Sequence, residues 1–141
     1  MTETMKIDIK RIYDPPGDDD GFRILVDRLW PRGLKKADAH IDLWAKELAP
    51  TTDLRKWFDH ESSKFGAFRC RYLEELDAKH DLARRVLEAA GGRTITLLFG
   101  ARDRSCNHAV VLRDFLSAEG LRMEDSVLYR PNRPTRRLKN E

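Results

Sequence analysis

The sequence predicts an α/β protein: a small sheet with helices packed on it, in a single domain followed by an extended basic C-terminal tail. Three observations support this class. The chain has 141 residues, which suits one domain, and 40% of them are hydrophobic, which supplies a core without a disulfide or a metal. Short apolar or β-branched runs also interleave with segments of helical periodicity. We expect the domain to span residues 1–120 and the tail to span residues 121–141.

The first half of the chain contains three predicted strands. Residues 5–13 alternate between apolar and polar, and residues 22–26 follow a turn-rich segment and end in three consecutive apolar residues. Residues 40–48 fit both a period of two and a helical period. We interpret them as a strand because the segment is short and Pro50 closes it.

The second half is mainly helical, with one strand. The β-branched and apolar residues 94–99 predict a buried strand. Gly91-Gly92 ends the helix before this strand, and Ser105 is the expected N-cap of the helix after it. The predicted helices are a short one capped by Thr51 or Thr52, two longer ones over residues 65–76 and 82–90, and a last one over residues 106–118.

Several classes of function are excluded by what the sequence lacks. Its apolar runs fall short of the roughly 18 residues that span a bilayer, and its first residues show no secretory signal. We therefore expect a cytoplasmic protein with no membrane partner. Cys70 and Cys106 are far apart in sequence, which fits a reducing compartment. No metal-ligand spacing, glycine-rich nucleotide loop or serine-nucleophile elbow occurs, so we predict neither a metal nor a cofactor.

Positive charge is concentrated in the predicted tail. Residues 121–141 contain six basic and three acidic residues, which accounts for the whole net charge of +3, since the remaining chain holds 21 of each sign. Pro131 and Pro134 favour an extended conformation there. The tail leads to an alternative function, a non-catalytic binding or regulatory module that contacts protein or nucleic acid. A further alternative is a homo-oligomer in which the tail clasps a neighbouring subunit.

Two loops that follow predicted strands carry the candidate binding residues. Residues 27–33 follow one strand and residues 100–108 follow another. If these strands are parallel, both loops lie at the end of the sheet where ligands of α/β proteins bind. Arginine side chains beside a helix N-terminus suit a phosphate or a carboxylate. The charged and aromatic candidates are Asp27, Arg28, Trp30, Arg32, Arg102, Asp103 and Arg104.

The same residues allow a structural interpretation, in which the arginines pair with Asp27 and Asp103 and simply hold the loops. Cys106 likewise has two interpretations. It is an ordinary small apolar residue, or it is a nucleophile near a helix N-terminus with His108 or Asp103 as its partner.

Three sequence segments resemble a known family. They are KRIYDPPGDDDGFRILVDRLWPRGLKK, IDLWAKELAPTTDLRKWF and TLLFGARDRSCNHAVVL. Their order and spacing are similar to those of the YeaO-like branch of domain of unknown function 488, over about residues 6–118. The resemblance implies a small cytoplasmic α/β domain without an established activity. It also adds Asn107 and His108 to the candidate residues of the second loop.

The main hypothesis is a pocket between the two loops that binds a small anionic ligand, either with or without catalysis. We expect Arg28 and Arg32 to hold the anion and Asp27 to orient one of them. Asn107 and His108 complete the pocket, and a reaction would use His108 or Asp27 as the proton carrier. The candidate ligand-binding residues are Arg28, Trp30, Arg32, Arg102 and Asn107, and the candidate catalytic residues are Asp27, His108 and Cys106.

Overall fold

The computed structural model describes residues 6–129 as a four-stranded parallel sheet with five α-helices. The strands are β1 (Ile7–Arg11), β2 (Phe22–Leu25), β3 (Leu43–Trp44) and β4 (Ile95–Phe99), in the spatial order β1-β4-β2-β3. All three neighbouring pairs are parallel. The helices are α1 (Lys36–Ala39), α2 (Thr52–Phe58), α3 (Phe65–Leu76), α4 (His80–Ala90) and α5 (His108–Tyr129). The predicted α/β class is confirmed.

The two central strands have the most apolar sequences. All residues of β2 and β4 are buried, whereas β1 and β3 at the sheet edges are partly exposed. A strand covered on both faces needs apolar residues in consecutive positions, which explains the unbroken runs predicted as strands. The buried exception in β2 is Arg23, whose guanidinium donates to the carbonyls of Ala39 and His40 and pairs with Asp20.

The two faces of the sheet are covered differently. Helices α2 to α5 pack on one face and share the main hydrophobic core with the strands. The opposite face has a smaller cluster formed by Ile12, Leu25 and Leu98. This cluster is covered by residues 30–44, which contribute the side chains of Trp30, Leu34, Ile41 and Trp44.

The strand predicted at residues 40–48 is shorter than expected. Only Leu43–Trp44 pairs with β2, and a 3₁₀ turn over Lys46–Leu48 follows. The turn brings Leu48 fully into the core, and the buried hydroxyl of Tyr72 donates to the Leu48 carbonyl at 2.6 Å. Tertiary packing therefore ends the strand before its alternating pattern does.

The last helix is longer than predicted at its C-terminal end. It continues past residue 120 to Tyr129, so the first part of the segment predicted as an extended tail is helical. The remainder of that segment, residues 130–141, lies outside the described residues. Within residues 6–129 there is no helix long and apolar enough to cross a membrane.

Candidate functional site

A cavity of about 450 Å³ opens at the carboxyl ends of β2 and β4. Because these strands are parallel neighbours, the loops that follow them, residues 27–33 and 100–108, come together at this edge. Both loops line the cavity, and the C-terminal end of α2 forms a third wall. Ligands of open parallel sheets bind at this position.

Asp27 joins three elements beside the cavity. Its Oδ2 accepts a hydrogen bond from the backbone N–H of Gly100 at 2.9 Å. Its Oδ1 lies 2.9 Å from Nε2 of His108, the first residue of α5, in a contact that lacks the alignment of a hydrogen bond. Both atoms are buried and have no hydrogen-bond partner elsewhere in the described chain. Contrary to the prediction, Asp27 contacts this histidine and Gly100 rather than orienting an arginine.

Gly100 leaves room for the close approach of the Asp27 carboxylate. A Cβ at position 100 would lie 2.8 Å from Asp27 Oδ2, well inside van der Waals contact. The carbonyl of Gly100 and that of Ala101 also accept hydrogen bonds from the Arg11 guanidinium. The second loop is therefore fixed at its first two residues by side chains from β1 and from the first loop.

Asn107, rather than Ser105, caps α5. The Asn107 Oδ1 accepts the backbone N–H of Val110 at 3.1 Å, and its Nδ2 donates to the Asp103 carbonyl at 2.8 Å. The predicted N-cap is therefore wrong by two residues, and the helix begins at His108 instead of Cys106. Asn107 lines the cavity, as predicted, and it is buried with both ends of its side-chain amide engaged. Its hydrogen bonds also hold the start of α5 in place.

Asp103 also turns inward on its own loop. Its Oδ1 accepts the backbone N–H groups of Cys106 and Ser105, at 2.9 and 2.8 Å. These two hydrogen bonds, that from Cys106 first, lower the pKa of Asp103. Cys106 itself is half-buried in the cavity wall. The Asp103 carboxylate thus shapes the loop and forms no salt bridge with an arginine in the described chain.

Arg28 and Arg32 both line the cavity, but they are held in different ways. The Arg28 guanidinium donates to the carbonyls of Pro50 and Ala49 at 2.9 and 3.0 Å. Arg32 is exposed, and its backbone carbonyl accepts the hydroxyl of Tyr13 at 2.8 Å. Arg28 is thus a fixed cation at the junction of the first loop and the segment before α2, whereas the Arg32 side chain projects from the loop.

The arginines of the second loop lie elsewhere. Arg104 forms a two-pronged salt bridge with Asp14, at 2.8 and 3.0 Å. Arg102 is exposed and does not line the cavity, although the sequence made it a candidate ligand contact. The structural interpretation predicts that the loop arginines pair with Asp27 or Asp103. Arg104 does pair with a carboxylate, but its partner is Asp14.

Trp30 serves two surfaces. Its ring packs edge-on against Trp44, with centroids 5.4 Å apart, and its Nε1 donates to the Leu34 carbonyl at 2.7 Å. It also lines the cavity. The Trp30 ring packs over the smaller core cluster, and this packing fixes its position in the cavity wall.

The wall supplied by α2 was not predicted from the sequence. Arg55 and Lys56 come from its last turn, and Asp59 and His60 follow in left-handed backbone conformation with φ of 49° and 58°. Two consecutive non-glycine residues of this kind are uncommon, although Asp and His tolerate them best. They turn the chain directly after Phe58, the last residue of α2. Phe58 is buried and also lines the cavity.

Four cationic side chains line this cavity without carboxylate partners. We call Arg28, Arg32, Arg55 and Lys56 the cation set. None of them forms a salt bridge with a carboxylate within residues 6–124. Two carboxylates, Asp27 and Asp59, also line the cavity, so its lining carries a net charge of 4 − 2 = +2 with histidines neutral.

Metal ligation has no geometric support in the described part of the chain. No three or more His, Cys, Asp or Glu side chains are grouped there in a way that could hold a metal ion. The cation set also lies on the cavity wall, which disfavours a divalent cation by charge repulsion.

Comparison with known proteins identifies the family. The family model described as the inactive DUF488-N3 subclade matches residues 6–134. The chain belongs to this family. It is 47% identical to the uncharacterized protein YeaO of Escherichia coli (strain K12) over 112 residues, covering 79% of this chain and 97% of that protein.

More distant relatives come from mycobacteria. The chain is 35% identical over 117 residues to the uncharacterized protein Rv3073c of Mycobacterium tuberculosis (strain ATCC 25618 / H37Rv) and to Mb3100c of Mycobacterium bovis. The match covers 83% of this chain and 98% of each relative. No solved structure matches the chain. The family of the chain is therefore known, but these relatives are uncharacterized. A functional proposal has to rest on the residues that line the cavity.

Proposed function

We propose that the cavity binds a small anionic ligand, and that the cation set supplies the attraction. The observation that carries this proposal is the gathering of four cations on one concave surface with no carboxylate partner among the side chains of residues 6–124. Neighbouring cations repel one another, and the repulsion is stronger in a partly enclosed site, where the effective dielectric constant is lower than in water. A phosphate or a carboxylate bound between them relieves this repulsion.

Arg28 provides the preorganised part of the site. Two of its five N–H groups already donate to the carbonyls of Ala49 and Pro50, which fix the guanidinium plane without neutralising its charge. A cation that is already ordered loses little conformational freedom when a ligand binds. The more exposed members of the set, Arg32 among them, then close on the anion from the solvent side.

We further propose that the ligand is bound without being converted. The matching family model is described as inactive. Of the candidate catalytic residues, Asp27 contacts His108 and accepts the Gly100 amide N–H, so we assign Asp27 and His108 the role of joining the two loops to α5. Cys106 supplies a half-buried wall of the cavity rather than a nucleophile.

A matched pair of arginine variants tests the binding site. Thermal shift and calorimetric titration with phosphate, pyrophosphate and citrate are carried out on the wild type, Arg32→Ala and Arg102→Ala. Both arginines are exposed loop residues, but only Arg32 lines the cavity. We expect at least one anion to raise the melting temperature of the wild type and of Arg102→Ala. Arg32→Ala should bind this anion about 10- to 100-fold more weakly, the loss typical of one charged hydrogen bond.

Two outcomes contradict the proposal. If Arg32→Ala and the wild type bind the anion with equal affinity, the anion binds outside the cavity. If no anion binds or stabilises the wild type, the proposed function is wrong. The claim of binding without conversion is checked by phosphorus NMR of a bound phosphate ester. We expect the ester to persist unchanged, and release of inorganic phosphate by wild type but not by His108→Ala overturns that claim.

A further inference from the structure

The cavity has an apolar part that binding of a bare anion does not explain. Three large apolar side chains are strongly exposed within residues 6–124: Tyr13 at 44%, Leu29 at 61% and Leu121 at 58%. Two of them, Tyr13 and Leu29, lie at this cavity. Exposed apolar side chains that cluster beside a polar site are typical of a binding surface, whereas an isolated one such as Leu121 needs no explanation.

The aromatic rings at the cavity are held by their polar ends. The Tyr13 hydroxyl donates to the carbonyl of Arg32, a member of the cation set, and the Trp30 Nε1 donates to the Leu34 carbonyl. Each hydrogen bond is made to loop backbone, so the ring is ordered before any ligand arrives. An ordered aromatic ring next to a cation presents a flat apolar surface within reach of a charged site.

The size of the cavity also exceeds that of a small inorganic anion. A water molecule occupies roughly 30 Å³ in the liquid, and the cavity volume is about 450 Å³. Cavities of this size hold organic ligands with a substantial apolar part.

We infer, on the basis of the proposed anion-binding function, that the ligand joins its anionic group to a planar ring, the chemistry of a nucleoside monophosphate. The phosphate contacts the cation set, and the ring lies against Leu29 and the rings of Tyr13 and Trp30. Aromatic and aliphatic side chains accept any base by stacking, so this surface favours a ring without selecting one base.

The experiment separates the ring from the phosphate. Calorimetric titrations of the wild type compare the nucleoside monophosphates and phenyl phosphate, which contain both groups, with ribose 5-phosphate and inorganic phosphate, which lack a ring. We expect the ring-containing phosphates to bind about tenfold or more tightly than ribose 5-phosphate. Comparison of phenyl phosphate with the nucleotides then shows how much the sugar and the heterocyclic base add together.

Two leucine variants provide the matched control. Leu29→Ala and Leu121→Ala remove the same side chain from positions of similar exposure, one at the cavity and one on α5 outside it. Leu29→Ala should lower the ratio of nucleotide to ribose 5-phosphate affinity by about tenfold while leaving the affinity for inorganic phosphate unchanged. Leu121→Ala should change neither. Tyr13→Phe, which keeps the ring, should retain more of the ratio than Tyr13→Ala.

The outcomes distinguish this inference from the function on which it rests. If ribose 5-phosphate binds as tightly as the nucleotides, or if Leu29→Ala and Leu121→Ala behave alike, the ring is not recognised and the inference fails while anion binding stands. If none of the phosphates binds but citrate does, the inference fails while anion binding stands. If neither the phosphates nor citrate binds, the proposed function fails as well.

Discussion

Charged side chains are paired between α4 and α5 and unpaired around the cavity. Glu119 of α5 is 1% exposed, and its carboxylate accepts His80 Nδ1 and Arg84 Nε, each at 2.6 Å. We call these three residues the paired cluster. The cation set has the opposite arrangement, since its four members share a concave surface without carboxylate partners in the described chain. The paired cluster is complete in the free protein, whereas the cation set has no such partners among the side chains of residues 6–124 and is our proposed anion site.

Under our proposal, this difference separates charges that stabilise the fold from charges that bind a ligand. In the paired cluster, burial alone raises the pKa of Glu119, but hydrogen bonds from His80 and Arg84 outweigh it and lower the pKa overall. The buried carboxylate stays charged because its partners are in place. A cation that lines a cavity open to solvent does not need a carboxylate partner to stay charged, since water still reaches it.

The largest expected effect comes from breaking the paired cluster. Glu119→Ala removes the shared acceptor of His80 and Arg84 and leaves space between α4 and α5. We expect the free energy of unfolding to fall by about 2–4 kcal/mol, measured by urea denaturation. The exposed Glu88→Ala on α4 is the control and should change it by less than about 0.5 kcal/mol. Similar midpoints for the two variants would show that the pairing does not stabilise the helices.

The pH dependence of stability gives a second, smaller effect in the same cluster. Hydrogen bonds to Glu119 first and Asp77 second raise the pKa of His80 above its usual 6.5. Among the other neighbouring charges, Arg122 lowers this pKa. Protonated His80 therefore contributes stability that is fully present below pH 6.5 and is lost as the pH rises through the raised pKa.

The comparison of wild type with His80→Gln measures this contribution. The difference in free energy of unfolding should be larger at about pH 6 than at about pH 9. Below pH 4.5 a second loss begins, because Glu119 has a lowered pKa and its contribution disappears as the pH falls through it. A difference that stays constant between about pH 6 and 9 contradicts the assignment of a charged His80 to the cluster.

The smallest expected effect has the opposite sign and concerns the cavity. Arg32→Gln removes one member of the cation set and its repulsion from the others, so the ligand-free protein should gain about 0.2–0.5 kcal/mol of stability at low salt. The gain should vanish at about 1 M salt, where charges are screened. Arg104→Gln, which breaks the salt bridge with Asp14, should instead lower stability. If Arg32→Gln also loses stability, the members of the cation set do not repel one another in the free protein.

The sequence predicts the part of the site that depends on the sheet. Continuous apolar runs identify β2 and β4 as buried strands, and parallel buried strands place the loops after them at one edge. Arg28, Arg32 and Trp30 follow directly from this reasoning because they lie on one of these loops. The fold class is predictable for the same reason.

The rest of the site depends on contacts between distant parts of the chain. The stripe of Leu54, Trp57 and Phe58 predicts a helix at α2 but not that its last turn faces the cavity. That position is set by Arg28 donating to the carbonyls of Ala49 and Pro50. Of the two candidate N-caps of α2, Thr51 and Thr52, the structure selects Thr51. The predicted N-cap of α5 is wrong for a local reason, because Asn107 and Ser105 are both good capping residues. Only the turn stabilised by Asp103 selects Asn107.

The central claim is that the cation set binds an anion at the carboxyl ends of β2 and β4. An NMR titration of nitrogen-15-labelled protein with inorganic phosphate and with a nucleoside monophosphate tests it most directly. The predicted result is a saturable shift of amide signals confined to residues 27–33, 55–60 and 100–108. Shifts that never saturate, or that spread over exposed basic residues of α4 such as Arg85, would contradict the claim.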